Sequence, residues 1–271
     1  MGVGFWEGDW YSMGMKQAIT QYVMVILLVV GAYFLGVYKT KTEYLEKGVP
    51  NQVAQVAGET TAAQTTPTTV DLDKIKEKFD GKHITFGDKN AKTIIAEVSD
   101  PSCPYCHIAA GLHPELNNTS TQFKMVKDGG TYIAPVPEIK KMVDAGQASF
   151  IFFYASGHGA GEVGTQALYC AYDQGKFWEA HDKLMTKAGY DLLNDVVKND
   201  IAQSSKVVTL MGNSLDSAKL QSCLDSGKYA GQPTEDTAFV QSLGFGATPI
   251  FFVNDKVVEG AQPWSALEAA L

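Results

Sequence analysis

The stretch EVSDPSCPYCHIAAGL, residues 97–112, constrains the fold more than any other part of the chain. It begins inside TIIAEVS (93–99), a short, mostly apolar run rich in β-branched residues, which is typical of a buried strand. From Pro104 the pattern favours a helix through Leu112, and proline suits a first helical turn because its missing N–H is not needed there. Cys103-Pro104-Tyr105-Cys106 is therefore predicted to lie at a strand-to-helix junction.

The position of the two cysteines predicts redox chemistry. A thiolate at a helix N-terminus is stabilised by free backbone N–H groups and by the helix dipole, which lowers its pKa. We expect Cys103 to be exposed and to attack substrate disulfides, and Cys106, one turn further along, to resolve the mixed disulfide. A zinc site, which needs two further ligands, and a structural disulfide are alternatives that the pair alone leaves open.

The remainder of residues 71–271 predicts one α/β domain. SFIFFYA (149–155) is predicted to form a second buried strand, and PIFFV and KVVEG flank Asn254-Asp255, a hairpin signal. Helical patterns fill the interval between these strands, including one that we expect to open with a cap at Ser214. Strand, helix, strand, helical block and hairpin together indicate a mostly helical insertion in an α/β domain.

Two further features are typical of a redox site. Glu97 lies in the apolar strand six residues before Cys103, where a buried carboxyl would have a raised pKa and could relay a proton to the resolving thiol. The alternative is that Glu97 faces solvent at a sheet edge. Thr248-Pro249 stands at the start of a β-rich run, and a cis bond there would leave a backbone edge free for substrate to pair with.

Three separated segments carry a family resemblance, namely EVSDPSCPYC, ALYCAYDQGKFWEAHDKLM and GATPIFFVNDKVVEGAQPWSALEAAL. In this order they resemble the DsbA-like thiol:disulfide oxidoreductases of the thioredoxin superfamily, over about residues 90–271. The resemblance implies a thioredoxin fold with an inserted helical domain at about residues 156–243.

The resemblance also assigns roles to the site residues. They are the nucleophile Cys103, the resolving Cys106, the buried acid Glu97, the cis-proline Pro249 with Thr248 before it, and the dipeptide Pro104-Tyr105 between the cysteines. The dipeptide does not settle the direction of electron flow, because the potential depends on how far the reduced thiolate is stabilised. Neither a metal nor a dissociable cofactor is implied.

Several residues near the site receive more ordinary interpretations. Residues 113–136 form a longer excursion than is usual after the active-site helix, and this segment could cap the site or shape partner choice. We interpret His107 and His158 as solvated bystanders rather than groups that tune the thiolate, and Phe177 and Trp178 as core residues.

The other two cysteines, Cys170 and Cys223, fall in different predicted helices of the insertion. In an oxidising compartment they are expected to join as a structural disulfide that closes a loop of about fifty residues. Two separate buried thiols are the alternative. Four cysteines permit three pairings, and the sequence does not choose among them.

The N-terminal part has a different composition. The run 17–38 carries no charge and is long enough, at about 1.5 Å per residue, to cross a bilayer core of about 30 Å. We predict an N-terminal tail (1–17), an uncleaved transmembrane anchor (18–38) in the lipid bilayer, a flexible linker (39–70) and the DsbA-like domain (71–271).

Charge and cysteine content give expectations about location and partners. The lysines that follow the anchor favour a cytoplasmic domain, whereas the thiol chemistry favours an extracytoplasmic one, which is our prediction. The expected partners are reduced secreted or envelope proteins and a membrane thiol oxidase. With a net charge of −8 and no basic run beyond Lys140-Lys141, we expect no nucleic-acid partner, because neutralising phosphates needs clustered cations.

Two other functions remain open at this point. One is a disulfide isomerase or reductase on the same fold, although residues 39–70 look too short and too polar for a dimerisation domain. The other is a non-catalytic module whose thiol pair captures a soft metal such as Cu(I) or a partner protein.

Overall fold

A computed structural model of the protein describes residues 69–271. The predicted tail, the transmembrane anchor at 18–38 and nearly all of the linker lie outside these residues. Within 69–271, none of the helices has both the length and the apolar character needed to cross a membrane.

The centre of the described chain is a five-stranded sheet with the order β1-β3-β2-β4-β5. Its strands are β1 (Ile84–Phe86), β2 (Ile94–Ser99), β3 (Ser149–Tyr154), β4 (Ile250–Val253) and β5 (Lys256–Glu259). β2 pairs in parallel with β3 and antiparallel with β4, so it is a central strand with a hydrogen-bonded neighbour on each edge. The two predicted buried strands and the hairpin at Asn254-Asp255 are confirmed.

Helices cover both faces of the sheet. In chain order they are α1 (Leu72–Lys76), α2 (Pro104–Ala110), α3 (Pro114–Asn117), α4 (Pro135–Asp144), α5 (Glu162–Tyr172), α6 (Phe177–Leu184), α7 (Lys187–Asp191), α8 (Ser204–Met211), α9 (Ser217–Asp225), α10 (Gln232–Ser242) and α11 (Trp264–Glu268). A π-helical turn (Leu192–Val197) follows α7. The helices α5 to α10 lie between β3 and β4, which confirms the predicted helical insertion.

The expected cap at Ser214 is wrong. Ser214 lies in a short 3₁₀ turn, and α9 begins after Asp216 instead. The Asp216 carboxylate accepts hydrogen bonds from the backbone N–H groups of Ala218 and Lys219, both at 3.1 Å. A carboxylate is favoured over a hydroxyl there because it also interacts with the positive end of the helix dipole.

Two apolar cores lie on opposite faces of the sheet. Alternation along β2 points Ile95 to one face and Ala96 and Val98 to the other. The first core contains most of the insertion helices but not α10, and Phe177 and Trp178 pack there against Phe150 and Phe152 of β3, as expected. The second lies under α1 and α10.

The insertion contains a covalent link. A disulfide joins Cys170 in α5 to Cys223 in α9, across a sequence separation of 53 residues. Of the alternatives that the sequence left open for these two cysteines, the structure therefore has the bonded pair.

Candidate active site

The remaining cysteines lie where β2 passes into α2. Cys103 is the N-cap residue of α2, Pro104 occupies the first helical turn, and the backbone N–H of Cys106 donates to the Cys103 carbonyl at 3.1 Å. Both cysteines are free thiols. The predicted strand-to-helix junction is thus present, with one thiol at the helix start and the other one turn inside.

The expectation that Cys103 is exposed is wrong, because only 4 % of its surface is accessible. Its Sγ lies 3.7 Å from the carbonyl oxygen of Thr248, on one side. On another side the chain passes so close at Gly157 that an added Cβ would lie 3.3 Å from the Cys103 Cβ. Two loops distant in sequence therefore cover a position that local pattern alone would leave open.

The two thiols have displaced pKa values of opposite sign. The pKa of Cys103 is lowered to about 6, chiefly because the Cys106 thiol donates a hydrogen bond to it. Thr248 and the backbone N–H groups of Cys106 and Tyr105 lower this pKa further, whereas burial raises it. Burial raises the pKa of Cys106 well above its usual value, and the Cys103 sulfur raises it further. The site therefore holds a thiolate beside a thiol.

Glu97 is fully buried, so the alternative of a solvent-facing edge carboxyl is wrong. It lies in β2, in register with Phe152 of β3 and Phe251 of β4. Burial raises the pKa of its carboxyl, while the charge of His181 and the hydroxyl of Ser99 oppose that change. Glu97 is thus an acid that tends to keep its proton.

The peptide bond between Thr248 and Pro249 is cis, as the sequence suggested. Pro249 directly precedes β4, and its carbonyl accepts a hydrogen bond from the backbone N–H of Gly260 at 2.8 Å. The carbonyl of Thr248 faces Cys103 Sγ, so the predicted substrate-facing pair lies beside that cysteine.

Sequence reasoning missed Asp100, a fully buried residue at the end of β2. One carboxyl oxygen accepts from the backbone N–H groups of Gly157 at 2.8 Å and His158 at 2.9 Å. The other accepts from the backbone N–H and the hydroxyl of Ser102, both at 2.7 Å. Asp100 thereby holds the glycine-rich loop 156–161 over Cys103, and only its position between a strand and Pro101 could have indicated a structural role.

The interpretation of His107 as a solvated bystander is wrong. Its ring is fully buried, with Nδ1 2.8 Å from the Met185 carbonyl and Nε2 2.8 Å from the Pro101 carbonyl. Burial lowers its pKa to about 4. His107 thus connects the active-site loop to the end of α6, whereas His158 is exposed, as expected.

Tyr105 is the exposed member of the centre, with 52 % of its surface accessible. Its ring lies 6.1 Å from that of Phe123, which lies 5.8 Å from that of Tyr132. The excursion 113–136 therefore packs beside the active-site helix. Among residues 69–271, no group of three or more His, Cys, Asp and Glu side chains is arranged to hold a metal ion.

The sequence of this chain is similar to one family model and to two known proteins. Residues 136–271, just over half of the chain, match the family model for thioredoxin, and this match begins after the two cysteines. Disulfide bond formation protein D of Bacillus subtilis is 22 % identical over 193 residues, covering 69 % of this chain and 74 % of its own length. The Na(+)/H(+) antiporter NhaA 1 of Salinispora arenicola is 26 % identical over 189 residues, which are 68 % of this chain and 24 % of that protein.

Solved structures show the same fold. Oxidised BdbD of Bacillus subtilis superimposes with a TM-score of 0.51 at 19 % identity, covering 75 % of this chain and 94 % of BdbD. Wolbachia pipientis alpha-DsbA1 does so with a TM-score of 0.51 at 17 % identity, covering 70 % of this chain and 88 % of that one. The name of disulfide bond formation protein D and those of the DsbA-type structures agree with the enzyme class predicted from the sequence.

Proposed function

This chain belongs to the thioredoxin family, and from that premise we propose that it is a protein thiol:disulfide oxidoreductase acting through Cys103 and Cys106. The observation that supports this proposal best is that the pKa values of the two thiols are shifted in opposite directions. The pKa of Cys103 is lowered to about 6, and that of Cys106 is raised. Near neutral pH this supplies a nucleophilic thiolate together with a protonated partner.

The reaction is an exchange of two electrons between sulfur pairs. A substrate thiolate attacks Cys103 Sγ of the oxidised centre, the bond to Cys106 breaks, and Cys106 leaves with the electron pair and takes up a proton. A second substrate thiolate then attacks the substrate sulfur of the mixed disulfide and releases Cys103 as a thiolate. Because a thiol of low pKa leaves readily, the depressed pKa of Cys103 favours this oxidising direction.

The neighbouring residues have complementary roles in this proposal. Glu97, whose pKa is raised by burial, supplies the proton that Cys106 takes up. The loop of Thr248 and Pro249, with the Thr248 carbonyl 3.7 Å from Cys103 Sγ, positions an extended substrate segment at the nucleophile. Pro104 and Tyr105 start α2 and present an aromatic side chain next to that path.

We also propose where the enzyme acts. Residues 18–38 would anchor it in the cell membrane, with the catalytic domain on the extracytoplasmic side, where it oxidises reduced secreted or envelope proteins. The disulfide between Cys170 and Cys223 supports this location, because such bonds persist mainly in oxidising compartments. A membrane thiol oxidase would return the centre to its oxidised state.

Mixed-disulfide trapping tests this proposal. The oxidised full chain should form native disulfides in reduced, unfolded ribonuclease. Cys106→Ala, preactivated as a mixed disulfide at Cys103 and then mixed with a peptide that carries a single cysteine, should retain a covalent complex, because neither Cys106 nor a second substrate thiol is present to resolve it. Cys103→Ala serves as the matched control and should retain none.

Two outcomes would replace the proposal. Rearrangement of scrambled disulfides without net oxidation would indicate an isomerase or reductase. Stoichiometric, tight binding of Cu(I) by the reduced chain, lost in Cys103→Ser and accompanied by no exchange, would indicate a binding module.

A further inference from the structure

A glycine-rich loop lies against the nucleophile. In this loop, residues 156–161, called the flap below, an added Cβ at Gly157 would lie 3.3 Å from the Cys103 Cβ and 1.8 Å from Thr248 Oγ1. Only 4 % of the surface of Cys103 is accessible. Because exchange requires a substrate sulfur to reach Cys103 Sγ, a sulfur on a bulky chain can arrive only when the flap moves aside.

On its inner side the flap is held by two buried residues that precede Cys103. The Asp100 carboxylate accepts from the backbone N–H groups of Gly157 and His158, and the Ser102 hydroxyl accepts from the backbone N–H of Ala160 at 3.1 Å. Asp100 and Ser102 are both fully buried. Hydrogen bonds that are shielded from water in this way are stronger than exposed ones, so the inner side is the firmly held side.

On its outer side the flap is held by the side chain of Asn199. The Nδ2 of Asn199 donates to the carbonyl of Gly159 at 2.9 Å. Its Oδ1 accepts from the backbone N–H of Glu162, the first residue of α5, at 2.8 Å. Both bonds lie at the exposed surface, where water can replace them. The outer side is therefore the side from which the flap can open.

The segment that carries Asn199 has an irregular backbone. Lys198 and Asn199 have positive φ angles of 46° and 63°, which place two successive non-glycine residues in the left-handed region. Within residues 69–271 the other non-glycine residue with positive φ is Asn254, where a hairpin turn requires it. The π-helical turn Leu192–Val197 directly precedes Lys198. Such irregularities are costly and occur preferentially at functional sites.

The same segment is fixed to the core and to the active-site loop. Leu193 and Val197 are fully buried in the first apolar core. Between them, Nδ2 of Asn194 donates to the carbonyl of Ser102, the residue before Cys103, at 3.1 Å, and to that of Tyr190 at 3.0 Å. Residues 192–199 are thus anchored beside the nucleophile and extend outwards as far as the flap.

We propose that residues 192–199 form a clasp that controls access to Cys103, with Asn199 as the positioning residue that holds the flap closed. The inference rests on the proposed function and concerns which substrates reach its nucleophile. While Asn199 is bonded to Gly159, small thiols reach Cys103 Sγ and bulky ones do not. When water replaces the two bonds of Asn199, the flap is held at its inner side alone, and a sulfur on a larger chain can approach.

Glycine substitutions separate control of access from a general effect on stability. Glycine adopts positive φ without strain, so Asn199→Gly removes both side-chain bonds and keeps the path of the backbone. Lys198→Gly is the matched control, because it relieves the same kind of strain at a side chain that makes no hydrogen bond to the flap. If Asn199 only stabilised the insertion, Asn199→Gly would change the free energy of unfolding and leave access to Cys103 as it is.

The test measures alkylation of Cys103 in the reduced full chain by two reagents of the same chemistry, N-ethylmaleimide and a maleimide carried on a polyethylene glycol chain. The ratio of the bulky to the small rate constant cancels any change in the fraction of thiolate. In Asn199→Gly this ratio should rise by about ten-fold, because two exposed hydrogen bonds that oppose opening are lost. In Lys198→Gly it should equal the wild-type ratio. Mass spectrometry checks that Cys103 is the modified residue.

Amide hydrogen exchange of the reduced chain gives a second measurement that needs no reaction at sulfur. The N–H groups of Gly157, His158 and Ala160 donate to buried side chains, so they exchange when the flap opens. They should exchange faster in Asn199→Gly and at the wild-type rate in Lys198→Gly.

Either readout unchanged in Asn199→Gly, or an equal change in Lys198→Gly, would overturn the clasp. A wild-type chain that is alkylated at Cys103 but exchanges no disulfides would overturn the proposed function instead, and that result requires no variant.

Discussion

Two pairs of cysteines lie in different chemical settings in this protein. Cys103 and Cys106 are one helical turn apart at the N-terminus of α2 and stay as free thiols with displaced pKa values. Cys170 and Cys223 are 53 residues apart and join two helices of the insertion. The first pair is surrounded by groups that distinguish its two sulfurs, whereas the second only connects two parts of the backbone.

The difference shows what makes a cysteine pair reactive. Free N–H groups at a helix start, a neighbouring thiol and the Thr248 loop stabilise a thiolate at Cys103. A bond that closes a long loop acts chiefly on the unfolded chain, by restricting it. Function at the first pair and stability at the second should therefore be separable by mutation.

The largest expected effect is on activity. Cys103→Ser should reduce oxidation of a reduced protein to the uncatalysed rate, because the attacked sulfur is lost, while the unfolding midpoint in denaturant changes little. The double variant Cys170→Ala/Cys223→Ala should retain the wild-type exchange rate at a temperature where it is folded. Loss of exchange in the double variant under those conditions would contradict the claim that the two cysteine pairs serve separate purposes.

The same double variant should show the next largest effect, on stability. Removing a link across 53 residues should lower the free energy of unfolding by about 4 kcal/mol in the chain-entropy model. Guanidinium unfolding of the oxidised wild type and the double variant measures the difference. A change in the free energy of unfolding below about 1 kcal/mol would show that the disulfide restricts the unfolded chain far less than the length of the closed loop implies.

A smaller, pH-dependent effect is expected at Glu97. Its folded pKa is raised, so above its ordinary value of 4.5 the unfolded chain ionises before the folded one, and Glu97 destabilises the fold increasingly as pH rises. Glu97→Gln should therefore gain stability relative to wild type between pH 4 and pH 8. Unfolding of the oxidised forms, in which neither active-site thiol titrates, measures this gain.

The control for Glu97 is Glu259→Gln, at an exposed position in β5. If the free energy of unfolding of Glu97→Gln differed from that of the wild type by the same amount at pH 4 and at pH 8, the burial argument would be contradicted. Slower exchange in the same variant is expected as well, because Cys106 loses its proton donor.

The smallest effect is expected in the loop over Cys103. A Cβ at residue 157 would lie 1.8 Å from Thr248 Oγ1, so Gly157→Ala must turn that hydroxyl and should cost about 1 kcal/mol of stability. Exchange should slow a few-fold as the cover over the nucleophile shifts. Gly246→Ala, where an added Cβ meets nothing within 4 Å, is the matched control.

Features governed by local physics were predictable from the sequence. The apolar composition of β2, rich in β-branched residues, and of β3, rich in phenylalanine, reflects strands with neighbours on both sides. Asn254 adopts a positive φ of 55°, which a two-residue hairpin turn requires and asparagine tolerates. Proline after Cys103 starts a helix for the same kind of local reason.

Features set by distant contacts were not predictable. His107 is buried by Met185, which is 78 residues away, and Asp100 binds backbone groups 57 and 58 residues away. A polar side chain beside a reactive motif has the same local pattern whether it is solvated or enclosed. The cover over Cys103 was missed for this reason as well, since it comes from residues near Gly157 and Thr248.

The most direct test of the central claim is the reduction potential of the Cys103–Cys106 pair in the full chain, measured by equilibration in glutathione buffers. A thiolate stabilised as described should give a strongly oxidising centre, with a potential near about −120 mV, the value typical of DsbA. A potential near about −270 mV, as in thioredoxin, would contradict this account and indicate a reductase.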